Sequence, residues 1–201
     1  TIPGFLEDYA LMSSALITLY FASSDENYLN EAKKITDFTI QHFFDSKDNL
    51  FYFTSVDDEP LIARKKETTD NVIPASNSVV AKLFFRLGHY LGNQDLLERA
   101  ERMLAMIVDD AAGYGSGYSN WLQLLLWRTY PFREVVFTGK EAIIMRTRLN
   151  ATFIPNLILA GSVSDAGTLP LIRGRYQQGK NLIYICENNT CGLPETDPGK
   201  A

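Results

Sequence analysis

Apolar residues recur at helical spacing through the first two-thirds of the chain. The clearest run is Leu96, Ala100, Met103 and Ile107, at i, i+4, i+7 and i+11, one face of an amphipathic helix. Before it, Leu6, Ala10, Ala15, Leu16, Leu19 and Tyr20 predict a first helix ended by Ser23-Ser24-Asp25. Asp25 stands where a cap would start a second helix, with Tyr28, Ala32, Ile35, Phe38 and Thr39 on one face. Pro74 marks the start of a third, carrying Val79, Val80, Leu83, Phe84 and Leu87 and closed by Gly88 and Gly92. Ser119 to Arg128 predicts a fifth.

Other periods interrupt this pattern. Asn49 to Thr54 is aromatic and β-prone, and predicts a short strand in a hairpin. Asp57 to Asn71 is polar and aperiodic, a long loop for a compact domain, and loops of that length tend to be functional or mobile. Beyond Pro131, Glu134–Phe137 predicts a strand, Glu141 to about Leu149 a helix, and Phe153–Leu159 a second strand after a turn at Pro155. This is a βαβ unit with parallel strands, and Asn181–Cys186 adds a further strand. The second and fourth helices also resemble each other, Ala32 aligning with Ala100 at an offset of 68 residues. Each follows a helix ending in an aromatic residue, which points to a repeated helical hairpin. The expected fold is mainly α: helical hairpins over residues 1–130, then a small α/β appendage over 131–201.

Composition narrows the function classes. A net charge of -5 and a pI near 5.1 argue against a nucleic-acid partner. No apolar run, including that around Trp121 to Trp127, approaches the roughly 18 residues of a membrane span. The chain starts at Thr1, so its natural N-terminus is expected to lie further upstream. Cys186 and Cys191 lack redox C-x-x-C spacing and are too few for a closed zinc site. A reduced, cytoplasmic pair is the preferred reading, with a disulfide or a reactive thiol as alternatives. Two sequons, at Asn150 and the irregular Asn189-Thr190-Cys191, matter only for a secreted chain.

Candidate chemistry gathers at two helix starts. In a toroid of hairpins the inner helices run parallel, so their N-termini share one end of a cavity. Glu7 and Asp8 meet the first inner helix, and Asp70, Asn71, Ser76 and Asn77 the second. Tyr9, Phe51, Tyr52 and Phe53 are their aromatic company, and Glu67 follows the basic run Arg64-Lys65-Lys66. Carboxylates beside aromatic platforms suit glycosyl chemistry, one carboxyl as acid and another as base or nucleophile. The plain alternative is that the acids oppose helix dipoles, that Ser76 or Asn77 caps, and that Phe51 and Phe53 are core. His42 and His89 fall near helix C-termini and read as structural. Thr138-Gly139-Lys140 is only a fragment of a phosphate-binding turn.

Several of these segments occur together in one known family. Gly4-Phe5-Leu6-Glu7-Asp8-Tyr9-Ala10, Phe51-Tyr52-Phe53-Thr54, Lys66-Glu67 with Asp70, and Pro74-Ala75-Ser76-Asn77-Ser78 follow in order. Arg133-Glu134-Val135-Val136, Pro155-Asn156, and Tyr184-Ile185-Cys186 leading to Cys191, Pro194 and Thr196-Asp197 complete the series. Together they resemble the C-terminal part of the spermatogenesis-associated, thioredoxin-domain-containing (YyaL-like) protein family. The resemblance implies an N-terminal thioredoxin-like domain followed by an (α/α)6 toroid similar to six-hairpin glycosidases and N-acylglucosamine 2-epimerase-like proteins. Ala75 and Ser76 depart from the family's Pro-Ser-Gly-Asn-type run, leaving Asn77 as the better match.

Two functions stay open. One is a sugar-active toroid with a carbohydrate ligand, Glu7, Asp8 and Asp70 as its acids and bases, and Tyr9, Phe51, Tyr52, Phe53, Glu67, Asn71 and Asn77 around the substrate. Residue type favours a hydrolase over an epimerase, which would want cavity histidines. The other is a non-catalytic interaction or scaffold module of a redox-linked protein, with those acids capping helices and the cavity plugged. Neither calls for a metal or cofactor. A fragment of this kind is expected to self-associate through helix faces left bare by missing hairpins.

Overall fold

The run Leu96, Ala100, Met103 and Ile107 is buried throughout in the computed structural model, which describes residues 4–59, 62–187, 190–197 and 199. Its first three residues form the inward face of α4 (Gln94–Ala105), whose N-cap Asn93 accepts from the Leu96 amide, and Ile107 lies just past the helix end. α4 packs antiparallel on α3 (Ser76–Leu91), and α2 (Glu26–Phe43) packs in the same way on α1 (Leu6–Ser23). Asp25 caps α2 through the Asn27 amide, as its position predicts. The resemblance between the second and fourth helices is thus that of the second members of two antiparallel pairs.

The register of α1 differs from expectation. Leu6, Ala10, Ser13, Ile17 and Tyr20 are buried, whereas Ala15 and Leu19 are exposed. α1 carries apolar residues on nearly every side, so its period does not single out the face that packs on α2 and α3. In α2 the buried line is Leu29, Ala32, Thr36, Thr39 and Phe43, one position away from Tyr28, Ile35 and Phe38. α3 begins at Ser76 rather than Pro74, and Gly92 ends it in the left-handed conformation with φ 60°. α5 (Val108–Gly113) and the 3-10 turn Gly115–Tyr118 have no counterpart in the sequence reading, being too short for a period. α6 (Ser119–Thr129) follows, close to its predicted span.

The predicted hairpin strand shrinks to β2 (Leu50–Phe51), paired antiparallel with β1 (Phe44–Asp45). The C-terminal part contains the expected βαβ unit. β3 (Arg133–Thr138) and β4 (Leu157–Ser162) are parallel, with α7 (Ala142–Asn150) between them. β4 starts four residues later than read from Phe153, because Asn156 adopts φ 60° and Phe153 is 91% exposed. β5 (Leu182–Glu187) runs antiparallel on the other side of β3, and β6 (Thr190–Cys191) flanks it, giving the order β4-β3-β5-β6. One hydrophobic core joins the helices to a face of this sheet, through Phe132, Val136, Ile158 and Ala160. A second, smaller cluster joins α7 to the other face through Phe137, Met145 and Leu149.

Cys186 and Cys191, opposite each other in β5 and β6, are joined as a disulfide. This overturns the preferred reading of a reduced pair; cross-strand pairing, invisible in the spacing, brings the sulfurs together. The Asn189 sequon lies outside the described residues. No helix among the described residues is long and apolar enough to cross a membrane.

Candidate functional site

Three helices start at one end of the molecule. The Leu6 amide at the head of α1 donates to the Phe53 carbonyl at 2.9 Å. Two residues away, Phe51 is held by Asn77 in the first turn of α3. Asp70 accepts from the Ala75 amide at 2.9 Å and from the Asn120 amide of α6 at 2.8 Å. α1, α3 and α6 therefore run parallel, and the segment between β2 and α3 laces their N-termini together. The helix starts expected to lie together do so, and the start of α6 joins them.

The acids at this mouth are largely engaged. Asp8 accepts from the Phe5 amide at 2.8 Å and so caps its own helix. Asp70, 9% exposed, also accepts from the Ser78 hydroxyl at 2.9 Å, which brings its oxygens to three donors. Glu67 accepts weakly from Ser76, and its carbonyl takes both the amide and a side-chain N–H of Asn77. Glu7, half-buried, makes no polar contact among the described residues. Asn71 is exposed and only its backbone bonds, to Ile73.

The aromatic candidates divide by depth. Phe51 is fully buried against Phe44 and Phe84. Tyr9 stacks on Phe38 and Phe43 at the edge of the core. Phe53 lies flat on Phe5, ring centroids 4.8 Å apart, and Phe5 is 43% exposed. Tyr52 sits under two cations, with the Arg64 guanidinium 4.0 Å and the Lys66 ammonium 4.4 Å from its ring centre. Lys66 in turn bridges Asp45 at 2.7 Å and Asp48 at 2.6 Å. Hydrogen bonds from Lys66 and Tyr52 hold the Asp45 carboxyl well below the usual range. Burial works against the Lys66 charge, but its two carboxylates prevail and raise its pKa. Tyr52 is raised chiefly by its bond to Asp45. Asp45, Asp48 and Lys66 form a fastener between the hairpin and the long segment, an arrangement that a charge run alone does not reveal.

A second polar group lies on the inner face of the three helices and escapes the sequence reading altogether. Lys82 donates to Asn120 Oδ1 and Gln123 Oε1 of α6, both at 2.7 Å, and lies 5.7 Å over the Trp127 ring. Arg86, one turn further along α3, stands beside the Tyr90 hydroxyl. Burial lowers the pKa of both cations, and the charge of Arg86 lowers Lys82 further. The signal in the sequence is two basic residues at i, i+4 inside an otherwise apolar helix.

At the opposite, C-terminal end of α1 and α3 stands the sheet. His89 Nδ1 pairs with the buried Glu134 of β3 at 2.7 Å, and Phe85 and Phe132 pack on its ring. Tyr90 donates to the Leu159 carbonyl of β4, and its burial pushes its pKa up to about 12. Arg146 of α7 reaches Ser24 and the Ala22 carbonyl at the end of α1. His42 pairs with Asp57 at 2.5 Å and stacks on Phe38. His89 is thus fastened at the sheet end, whereas His42, in the last turn of α2, is fastened to Asp57 at the mouth end, one ring beyond Tyr9.

No family model matches the chain. Human spermatogenesis-associated protein 20 is 26% identical over 206 residues, covering 97% of this chain and 26% of that protein. The rat protein of the same name is 26% identical over 208 residues, with the same coverage. An uncharacterized protein of Caenorhabditis elegans is 22% identical over 200 residues, covering 96% of the chain and 27% of that protein. The chain spans about a quarter of the length of these curated relatives. At this level of identity, sustained over nearly the whole chain, the comparisons support kinship with spermatogenesis-associated protein 20.

Proposed function

We propose that this chain is one wall of a longer helical toroid that binds a ligand without turning it over, which keeps the carbohydrate ligand of the first reading and the capping acids of the second. The engagement of Asp70 carries this proposal. A carboxylate accepting from two helix N-termini and a serine hydroxyl has its oxygens taken up in holding α3 and α6 together. Asp8 is occupied in the same way by its own cap. Glycosyl transfer to water wants two carboxyl groups available for proton exchange or attack. Of the three candidates, Glu7 alone is without a polar partner among the described residues.

Carbohydrate stays the favoured ligand at the mouth, where the Phe5–Phe53 stack offers flat apolar surface. The division into a wall (1–130) and an α/β appendage (131–201) belongs to this proposal. So do a thioredoxin-like domain and the remaining hairpins elsewhere in a longer protein. A cytoplasmic location also belongs to it, and requires the Cys186–Cys191 bond to persist in reducing surroundings.

The test is a panel of sugars and glycosides offered to the full-length protein, alongside Glu7→Gln and Asp70→Asn. Binding without turnover is expected, and Glu7→Gln should leave binding within about twofold. Turnover abolished by either substitution in a normally folded protein would restore the hydrolase.

A further inference from the structure

We propose that the inner face between α1, α3 and α6 is a binding site for a small molecule bearing an oxyanion, a carboxylate or phosphate gripped by Lys82 and Arg86. This deepens the binding reading above by naming a ligand class, and rests on it. Of the sixteen positions of α3, thirteen are buried, and the exceptions are Lys82, Arg86 and Leu91. The two cations therefore stand one above the other on the single side of α3 that opens away from the core.

Their surroundings are unlike those of the other paired cations. Lys33, Lys34, Lys66, Arg99 and Arg128 each have a carboxylate within 3 Å. Lys82 and Arg86 have none within 4 Å among the described residues. Asp70 is the acid that acts on Lys82 at longer range, and it is already engaged with three donors. Asn120 and Gln123 aim the Lys82 ammonium without neutralising it, and leave its third N–H free. Two like charges, partly withdrawn from water and one turn apart, cost free energy that an arriving anion would recover.

The space is present as well. Hollows of about 120 and 310 Å³ share Ser14, Lys82 and Arg86 in their walls, and the larger is bounded by Trp127 and Phe132. Together they suit a molecule of monosaccharide size. The Arg86 fork matches the paired oxygens of a carboxylate or phosphate, and the Trp127 ring offers an apolar wall for the rest.

Calorimetric titration of the full-length protein with inorganic phosphate, glucose 6-phosphate, glucuronate and glucose tests this. At least one sugar anion should bind at least tenfold more tightly than glucose; phosphate and glucuronate separate the two oxyanion sources. Lys82→Gln and Arg86→Met should each weaken that binding about tenfold or more, while Trp127→Phe should weaken the sugar anion but not inorganic phosphate. No anion binding to the folded protein, or binding indifferent to both cation substitutions, overturns the proposal. Glucose bound at the mouth with no anion bound anywhere would sink this site and leave the binding reading standing. Anions that bind and are turned over would do the reverse. Loss of folding in both cation variants, with no anion bound by the parent, would mean that an acidic segment of the longer protein fills the site, and would also overturn it.

Discussion

The side-chain amide of Asn77 brackets the peptide of Phe51. Its oxygen accepts from the Phe51 N–H at 2.7 Å, and its nitrogen donates to the Phe51 carbonyl at 2.9 Å. β2 has a neighbour on one side only, and Asn77 supplies the hydrogen bonds that a second strand would make. The same nitrogen donates to the Glu67 carbonyl, so one fully buried side chain ties the hairpin, the long segment and α3 together. Asn77→Ala would strand the two backbone groups of Phe51 and remove one of two bonds to the Glu67 carbonyl, and is expected to cost about 2–4 kcal/mol in urea unfolding. Asn77→Asp, which faces two carbonyls with a carboxylate at neutral pH, should be at least as damaging. A loss below about 1 kcal/mol for either would show that water replaces the amide.

The ion cluster of Asp45, Asp48 and Lys66 sets a pH dependence with a definite sign. Asp45 titrates lower in the folded state than in the unfolded chain. Its contribution is therefore complete above the ordinary aspartate pKa of about 4, and is lost as pH falls from there toward the folded value. Lys66 is raised, so its contribution is complete below the ordinary lysine pKa of about 10.4 and fades as pH climbs through the folded value. The difference in urea midpoint between the parent protein and Lys66→Met should thus be level from about pH 5 to 10 and shrink at both extremes. A difference that grows below pH 4 would contradict the assignment.

The Cys186–Cys191 bond closes a loop of few residues, so its effect on the unfolded chain is small. Loop-closure entropy for such a ring amounts to about 2 kcal/mol. The double substitution Cys186→Ala, Cys191→Ala is expected to leave the protein folded and to lower the denaturant midpoint in keeping with that figure. Mass measurement after alkylation without reductant should find both sulfurs protected; two free thiols in protein handled without reductant would remove the bond.

α1 carries Leu11, Met12 and Leu19 at 44–56% exposure, on the side away from its buried line. The isolated chain is expected to self-associate, its elution volume falling as concentration rises from about 1 to 100 μM. Replacing all three residues with glutamine should restore concentration-independent elution. A monomer at every concentration in the parent chain would sink the expectation.

What was legible in the sequence follows a physical division. The buried line of α4 through Leu96, Ala100 and Met103 could be read because the helix is polar on every side but one, although it ends at Ala105, before Ile107. α1 could not, because it is apolar nearly all round and only its neighbours decide which face is deepest. Glu7, Asp8, Asp70 and Asn77 do stand at or beside the starts of α1 and α3, as their positions in the chain suggest. The roles of Asp70 and Asn77 were not legible, because each acts on backbone groups far away in the chain, Asn120 and Phe51. Lys82 and Arg86 went unread for the opposite reason. Basic residues on a helix suggest a wetted surface, and only the presence of α6 turns that surface into a lined hollow.

The sheet at the far end has a consequence for how copies of this chain can meet. Its two outer strands are β4 and β6. β6 is two residues long and cross-linked to its neighbour, which leaves little backbone for a visitor to pair with. Along β4, the Tyr90 hydroxyl already occupies the Leu159 carbonyl, and the end of α1 comes so close that Gly161 has Ser24 Oγ where a larger residue would put its side chain. Neither margin invites strand addition from another molecule. Whatever association the bare helix faces produce should therefore stop at small clusters of side chain against side chain, and not run on into fibres.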